Sequence, residues 1–199
     1  MLRLNSRANP TALVLSASAG SASRAAALTA CAIVSLGDQH MPLQRVELSL
    51  ISPVALYEGV ASERLSAASD AVRRADVVVA VAPLPGAACG GLLPAFLDAL
   101  PVNALKGKVV VPLLFGGDAE ALARFETALR RRLEGAGATV ALGELFDARG
   151  DFAGDAAETG GPEVAARVSI AVREAALVLR RPVIQPDTTT ARRPALLAG

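Results

Sequence analysis

Residues 16 to 24 read SASAGSASR, a combination of side chains able to hold an anion. The hydroxyls of Ser16, Ser18 and Ser23 can donate to phosphate oxygens, and small residues let backbone N–H groups converge. A helix starting just afterwards would aim its positive end at the same point. Arg24 would add a charge-assisted bond. The same residues also suit an ordinary small-residue loop closed by a serine cap, so both readings stand here. There is no GK[ST] and no GxGxxG in the stretch. That points away from ATP and dinucleotides and toward a mononucleotide monophosphate.

A second candidate is APLPGAACGG at 82–91, directly behind the apolar run DVVVAVA. Prolines stiffen such a loop and glycines permit close approach, so a flat ligand could lie against it and bond to its backbone N–H groups. The plain alternative is a turn that starts the next helix. The pair Gly116-Gly117 in LLFGGDAE is weak alone, since any tight strand-to-helix turn can use it. Its position matters more, because it would neighbour the 82–91 loop across one edge of a sheet.

Other polar residues read as structural. His40 is the one histidine of the chain, in the polar stretch GDQHMP, and has no partner at catalytic spacing. Cys31 and Cys89 show neither CxxC nor metal-ligand spacing and read as thiols in a reducing cytoplasm. Asp118, Glu120 and Glu126 suit a helix N-terminus and its surface, and Arg130 to Arg132 a solvated helix face.

The elements needed to position these loops alternate in type. Strands are expected at 11–16, 45–51, 76–82, 108–115 and 139–145. Helices are expected at 23–34, 62–75 and 92–100, then after Asp118, and again from Pro162. Their buried stripes would be Leu65, Ala68, Val72 and Ala75; Leu122, Phe125, Leu129 and Leu133; and Val164, Val168, Ala171, Ala175 and Val178. Five strands, each followed by a helix, predict an α/β doubly wound parallel sheet in the order 2-1-3-4-5. Ligands then sit beyond the carboxyl ends of strands 1 and 3. The expected division is a flexible N-terminus (1–10), one domain (11–181) and a loosely ordered tail (182–199).

Composition narrows the function further. The 199 residues are 52% hydrophobic with a formal charge of +1, and the basic residues form no stripe, which sets nucleic acid aside. No charge falls between Val77 and Leu97, but Pro83, Pro85 and Pro94 would break a spanning helix there. No membrane span is expected, and the expected location is the cytoplasm.

Taken together, the loops resemble those of the NADPH-dependent FMN reductases of the flavodoxin-like fold, most nearly the flavin reductases serving two-component alkanesulfonate monooxygenases. The likeness runs from about Thr11 to Phe146 and is strongest in PLPGAACGGLLPAFLDALPVNALKGKVVVPLLFGG, 83–117. Pro83, Gly91, Leu92, Phe96, Leu97, Asp98, Leu100, Pro101, Ala104, Leu105, Gly107, Lys108, Gly116 and Gly117 fall in register with that family's pattern. The resemblance implies that Ser18, Ser23 and Arg24 hold the FMN phosphate, that 83–86 face the isoalloxazine, and that Gly116-Gly117 close on its other edge. It implies hydride transfer from NADPH (or NADH) to FMN, with no protein acid or base. Reduced flavin would pass to a partner monooxygenase. It also implies a homodimer or homotetramer packed through the apolar helix 92–100.

The chain departs from the family at several points. Ala17 stands for the expected glycine, Gly20 for an arginine, Pro85 and Cys89 for tyrosines, Pro94 for a lysine and Ala121 for a histidine. Two functions therefore stand: an NAD(P)H-dependent FMN reductase, or a non-catalytic homologue that has lost tight flavin binding and serves as a binding or scaffold subunit.

Overall fold

The computed structural model describes residues 10–17, 24–87, 89–147, 151–152 and 161–180. The tail expected at 182–199, and the N-terminus apart from Pro10, lie outside them. Strand β1 (Ala12–Ser16), ALVLS, and β3 (Val77–Pro83), VVVAVAP, are buried at every residue. Neither alternates in polarity, because helices cover both faces of the sheet. Between β1 and β3 run α1 (Arg24–Asp38), β2 (Leu43–Glu47), α2 (Pro53–Glu58) and α3 (Glu63–Arg74). After β3 come α4 (Leu92–Ala99), β4 (Val109–Phe115), α5 (Ala119–Gly135), β5 (Thr139–Val140), β6 (Glu144–Phe146) and α6 (Pro162–Arg180).

All pairings are parallel, in the order β2-β1-β3-β4, with β5 and β6 both against β4. This is the expected flavodoxin-like 2-1-3-4-5 order, its fifth position in two pieces. One core layer sets Val14, Val79, Val81 and Leu113 against Leu28, Ala32 and Leu36 of α1 and Val168, Ala171 and Ala175 of α6. The opposite layer sets Leu15, Val78, Ala80 and Leu114 against Ala68 and Val72 of α3, Phe96 of α4, and Leu122, Leu129 and Leu133 of α5. The expected helical stripes are the buried ones, with Leu65, Phe125 and Val178 half-buried at their margins.

Three expectations need correction. The strand expected at 45–51 ends at Glu47, and Leu48–Leu50 form a 3₁₀ turn. Leu48 is driven fully into the core while Leu50 stays exposed, so the alternation that suggested a strand stops at Leu48. Pro53 then opens the short helix α2, which ends on Gly59 in the left-handed conformation.

The strand expected at 139–145 is broken. β3 pairs with β4 without interruption from Val77↔Val109 to Pro83↔Phe115. On the other side β5 reaches only Val109 and Val110, and β6 only Leu113 to Phe115. The gap falls at Val111 and Pro112. Proline has no N–H for a neighbouring strand, and the backbone detours around it. Gly143 packs so close that a Cβ there would lie 2.6 Å from Pro112 Cγ.

The detour explains the third correction. Arg130 is half-buried instead of solvated: its guanidinium pairs with Glu126 at 2.7 Å and donates to the carbonyls of Val140 and Ala141 at 3.3 and 3.5 Å. Those carbonyls sit where the ladder is interrupted. Arg132 pairs with Asp98 of α4 at 2.5 Å, which ties α4 to α5.

Candidate functional site

The carboxyl ends of β1, β3, β4 and β6 meet along one edge of the sheet, and each exit is tied to the next strand. Ala17 N donates to Val81 O at 2.9 Å, Leu84 N to Phe115 O at 2.9 Å, and Gly116 N to Phe146 O at 3.0 Å. Neighbouring strands lie about 4.8 Å apart, so the loops that leave after these residues start side by side.

Of the anion-loop residues, Ser18 and Ser23, like Gly20, lie outside the described residues. Ser16 is the last residue of β1 and fully buried, and its Oγ accepts a hydrogen bond from Thr29 Oγ1 of α1 at 3.2 Å. Its hydroxyl thus joins strand to helix inside the core. Arg24 begins α1, and its guanidinium carbon stands 5.5 Å from the centre of the Phe152 ring. Phe152 comes from the chain after β6.

The 82–91 segment makes a compact turn: Ala87 N donates to Leu84 O at 3.2 Å and Gly90 N to Ala87 O at 3.0 Å. Pro83 is buried, Leu84 half-buried, and Pro85, Gly86 and Ala87 exposed. Gly90 allows the closure, since a Cβ there would lie 2.4 Å from the Leu84 carbonyl oxygen. Leu84 also brings the second and third candidates together, because a Cβ on Gly117 would lie 2.6 Å from its Cδ2. Gly86 and Gly116 have φ of +97° and +96°, where any other side chain is strained, and a Cβ at either would meet no atom within 4 Å. Together these residues offer a face of stiff, bare backbone.

Tyr57 is a residue that sequence reading passed over. This one tyrosine of the chain is exposed on α2, and its hydroxyl lies 2.8 Å from where a Cβ on Gly91 would be. It therefore stands beside the loop whose own two tyrosine positions hold Pro85 and Cys89. Asp118, as expected, is the N-cap of α5, accepting from Ala121 N at 2.8 Å. His40 is exposed in the turn after α1, with φ of +56°. Burial pushes the Cys31 thiol up, which keeps it protonated and unreactive at neutral pH. Among the described residues no group of three His, Cys, Asp or Glu could hold a metal, and no helix is long and apolar enough to cross a membrane.

A shallow depression of about 300 Å³ lies at the other end of the sheet, lined by Thr11, Pro42, Gln44 and Arg74 among others. Its Thr11 hydroxyl is already bonded to the Arg74 carbonyl at 2.8 Å. Convergent polar groups of the kind a ligand needs are therefore better sought at the glycine-rich edge.

Comparison with known proteins points to the same edge. The family model described as NADPH-dependent FMN reductase matches residues 10–151. A curated relative, the FMN reductase (NADPH) of Escherichia coli strain K12, is 37% identical over 75 residues; the match spans 38% of this chain and 39% of that protein. An NADH:FMN oxidoreductase solved in its apo form superposes with a TM-score of 0.72 at 26% identity, over 90% of this chain and 94% of that one. A short-chain flavodoxin associated with a bacterial microcompartment superposes at a TM-score of 0.57 and 16% identity, over 86% and 99%, a likeness of fold alone.

Proposed function

The chain belongs to the NADPH-dependent FMN reductase family, and we propose that it binds FMN at the carboxyl edge of its sheet and reduces it with a nicotinamide nucleotide. The observation that carries this reading is the contact of Leu84 with Gly117, which joins the β3–α4 and β4–α5 loops into one bare-backbone face. A planar ring fits such a face. Gly86 and Gly116 open onto the space it would fill, and Pro83 and Pro85 hold the wall stiff. Arg24 supplies positive charge at the start of α1, where a phosphate is also favoured by the helix N-terminus.

FMN, when bound, supplies the two-electron acceptor that amino-acid side chains lack. The chain's own part is to bind, orient and shield. Leu84 excludes water between the two loops, and Tyr57 flanks their rim. Asp118 is engaged in capping α5 and is not needed for proton transfer. In this reading NADPH or NADH is the reductant, and reduced flavin leaves for a flavin-dependent monooxygenase. We also propose a homodimer or homotetramer. Val54 and Tyr57 on α2 and the adjoining Leu50 and Val60 are exposed, and α2 contacts α4, which supports an apolar interface there.

The deciding experiment mixes purified protein with FMN and follows flavin fluorescence, then nicotinamide oxidation with and without FMN. Saturable quenching and FMN-dependent oxidation are expected. A protein that quenches neither FMN nor riboflavin would establish the non-catalytic reading instead. Light scattering of the same sample at micromolar concentration should give at least twice the 20.2 kDa chain mass; a monodisperse monomer would remove the oligomer.

A further inference from the structure

Arg24 touches an aromatic and ionic relay that runs through the chain after β6, the end of β6 and α6. Its guanidinium carbon lies 5.5 Å from the ring centre of Phe152, inside the range where a cation is drawn to a π face. Phe152 is only 2% exposed and meets Phe146 edge to face, with ring centres 6.2 Å apart and planes at 64°. Phe146, the last residue of β6, is in turn covered by Arg167 of α6, whose guanidinium carbon is 4.5 Å from its ring centre.

Arg167 also fixes the chain that carries Phe152. Its Nε donates to Glu144 at 2.9 Å, one terminal nitrogen donates to Asp151 at 2.5 Å, and the other donates to the Leu145 carbonyl at 2.6 Å. Asp151 also accepts from the backbone N–H of Asp147 at 2.9 Å. The residue before Phe152 is thus fixed by a charge-assisted set, and the Phe152 ring itself is buried. Both Phe152 and Arg167 lie outside the segment matched by the family model, residues 10–151.

We propose that Phe152 is a positioning residue for flavin-phosphate recognition: it pre-orients the Arg24 guanidinium, and Arg167 holds Phe152 in place. The physical reason lies in the charge of the guanidinium. Its delocalised charge is drawn to the Phe152 ring at 5.5 Å, which limits the positions the side chain can take. An arginine held in this way has already lost rotamer freedom that it would otherwise lose on binding an anion, and its affinity rises accordingly. Gly20 stands where the family pattern has an arginine, which makes the aim of Arg24 matter more. The proposal rests on the reading of Arg24 as a ligand of the FMN phosphate.

The test titrates FMN and riboflavin, which lacks the phosphate, by fluorescence quenching against four proteins: unmutated, Arg24→Ala, Phe152→Leu and the double variant. Arg24→Ala should weaken FMN about ten- to hundredfold and leave riboflavin unchanged. Phe152→Leu, which keeps an apolar side chain but removes the π face, should weaken FMN about three- to tenfold, again without affecting riboflavin. The double variant should bind FMN no more weakly than Arg24→Ala alone. Equal losses for both flavins from Phe152→Leu, or full additivity in the double variant, would overturn the positioning role while leaving the phosphate reading intact. An Arg24→Ala protein that treats both flavins like the unmutated one would remove both. If Phe152→Leu does not fold, fluorinated phenylalanines placed at 152 keep the ring's shape and weaken its π face. FMN affinity should then fall with each added fluorine, and a flat series would overturn the proposal.

Discussion

At the amino ends of β1, β3 and β4 the side chains of Thr11, Asp76 and Lys108 are buried or half-buried and bound to backbone, whereas the loops that leave the carboxyl ends of β3 and β4 are rich in glycine. Lys108, just before β4, is 8% exposed and donates to the carbonyls of Arg73 and Ala75 at 2.8 and 2.7 Å. Thr11, just before β1, takes the carbonyl of Arg74 at 2.8 Å, and its N–H donates to the Asp76 carboxylate at 2.9 Å. The last carbonyls of α3 are thus closed off by side chains from the sheet edge. Along the opposite edge Pro85, Gly86 and Gly116 present bare backbone. One end is built to be stable and the other to be approached, so a charged residue means different things at the two ends.

The sharpest way to break this contrast is Lys108→Met. It should destabilise the protein by about 2–4 kcal/mol, because one buried and one partly buried carbonyl lose a charged donor. Urea unfolding measures the loss, and FMN affinity of the folded variant should not change. A variant of normal stability with impaired FMN binding would show that the amino edge also serves the ligand.

Gly90→Ala examines the carboxyl edge with a smaller effect. The new Cβ meets backbone, the Leu84 carbonyl oxygen at 2.4 Å and Pro85 Cα at 2.9 Å, so the turn itself must shift. A cost of about 1–3 kcal/mol is expected. FMN and riboflavin should weaken together, since the ring wall moves and the phosphate site does not. Loss of FMN binding alone would mean that 83–86 belong to the phosphate site.

The same contrast explains how far the sequence could be read. The long apolar runs 77–83 and 109–115, and the helical stripes of α3, α5 and α6, carry period and burial in their own residues, and the strand order follows from alternation of strand and helix. The break in the last strand depends on Pro112 of a different strand, a contact no local pattern contains. Arg130 looked solvated because the carbonyls it reaches belong to that break. At the site, the glycines announced a bare-backbone edge, but their contacts with Leu84 did not show in spacing. Ser16 has the residue type of an anion ligand, yet its place as the last buried residue of β1 turns its hydroxyl to Thr29. Phe152 and Tyr57 reach the edge from elements remote in sequence, so neither was legible as a site residue.

The smallest test concerns strain at the open edge. Cys89 adopts φ of +67°, although it carries a Cβ. That conformation costs an ordinary residue about 1–2 kcal/mol. Glycine would remove the cost, but its freer unfolded chain takes back about 0.4–1 kcal/mol. Cys89→Gly should therefore stabilise the protein by about 0.5–1 kcal/mol, read as a higher urea midpoint with an unchanged slope. A destabilised variant would mean that the thiol holds this turn by contact and that strain is not what sets the carboxyl edge apart. A stabilised one would show that the edge keeps a strained residue where the amino edge keeps a buried bond, the kind of local compromise found at functional sites.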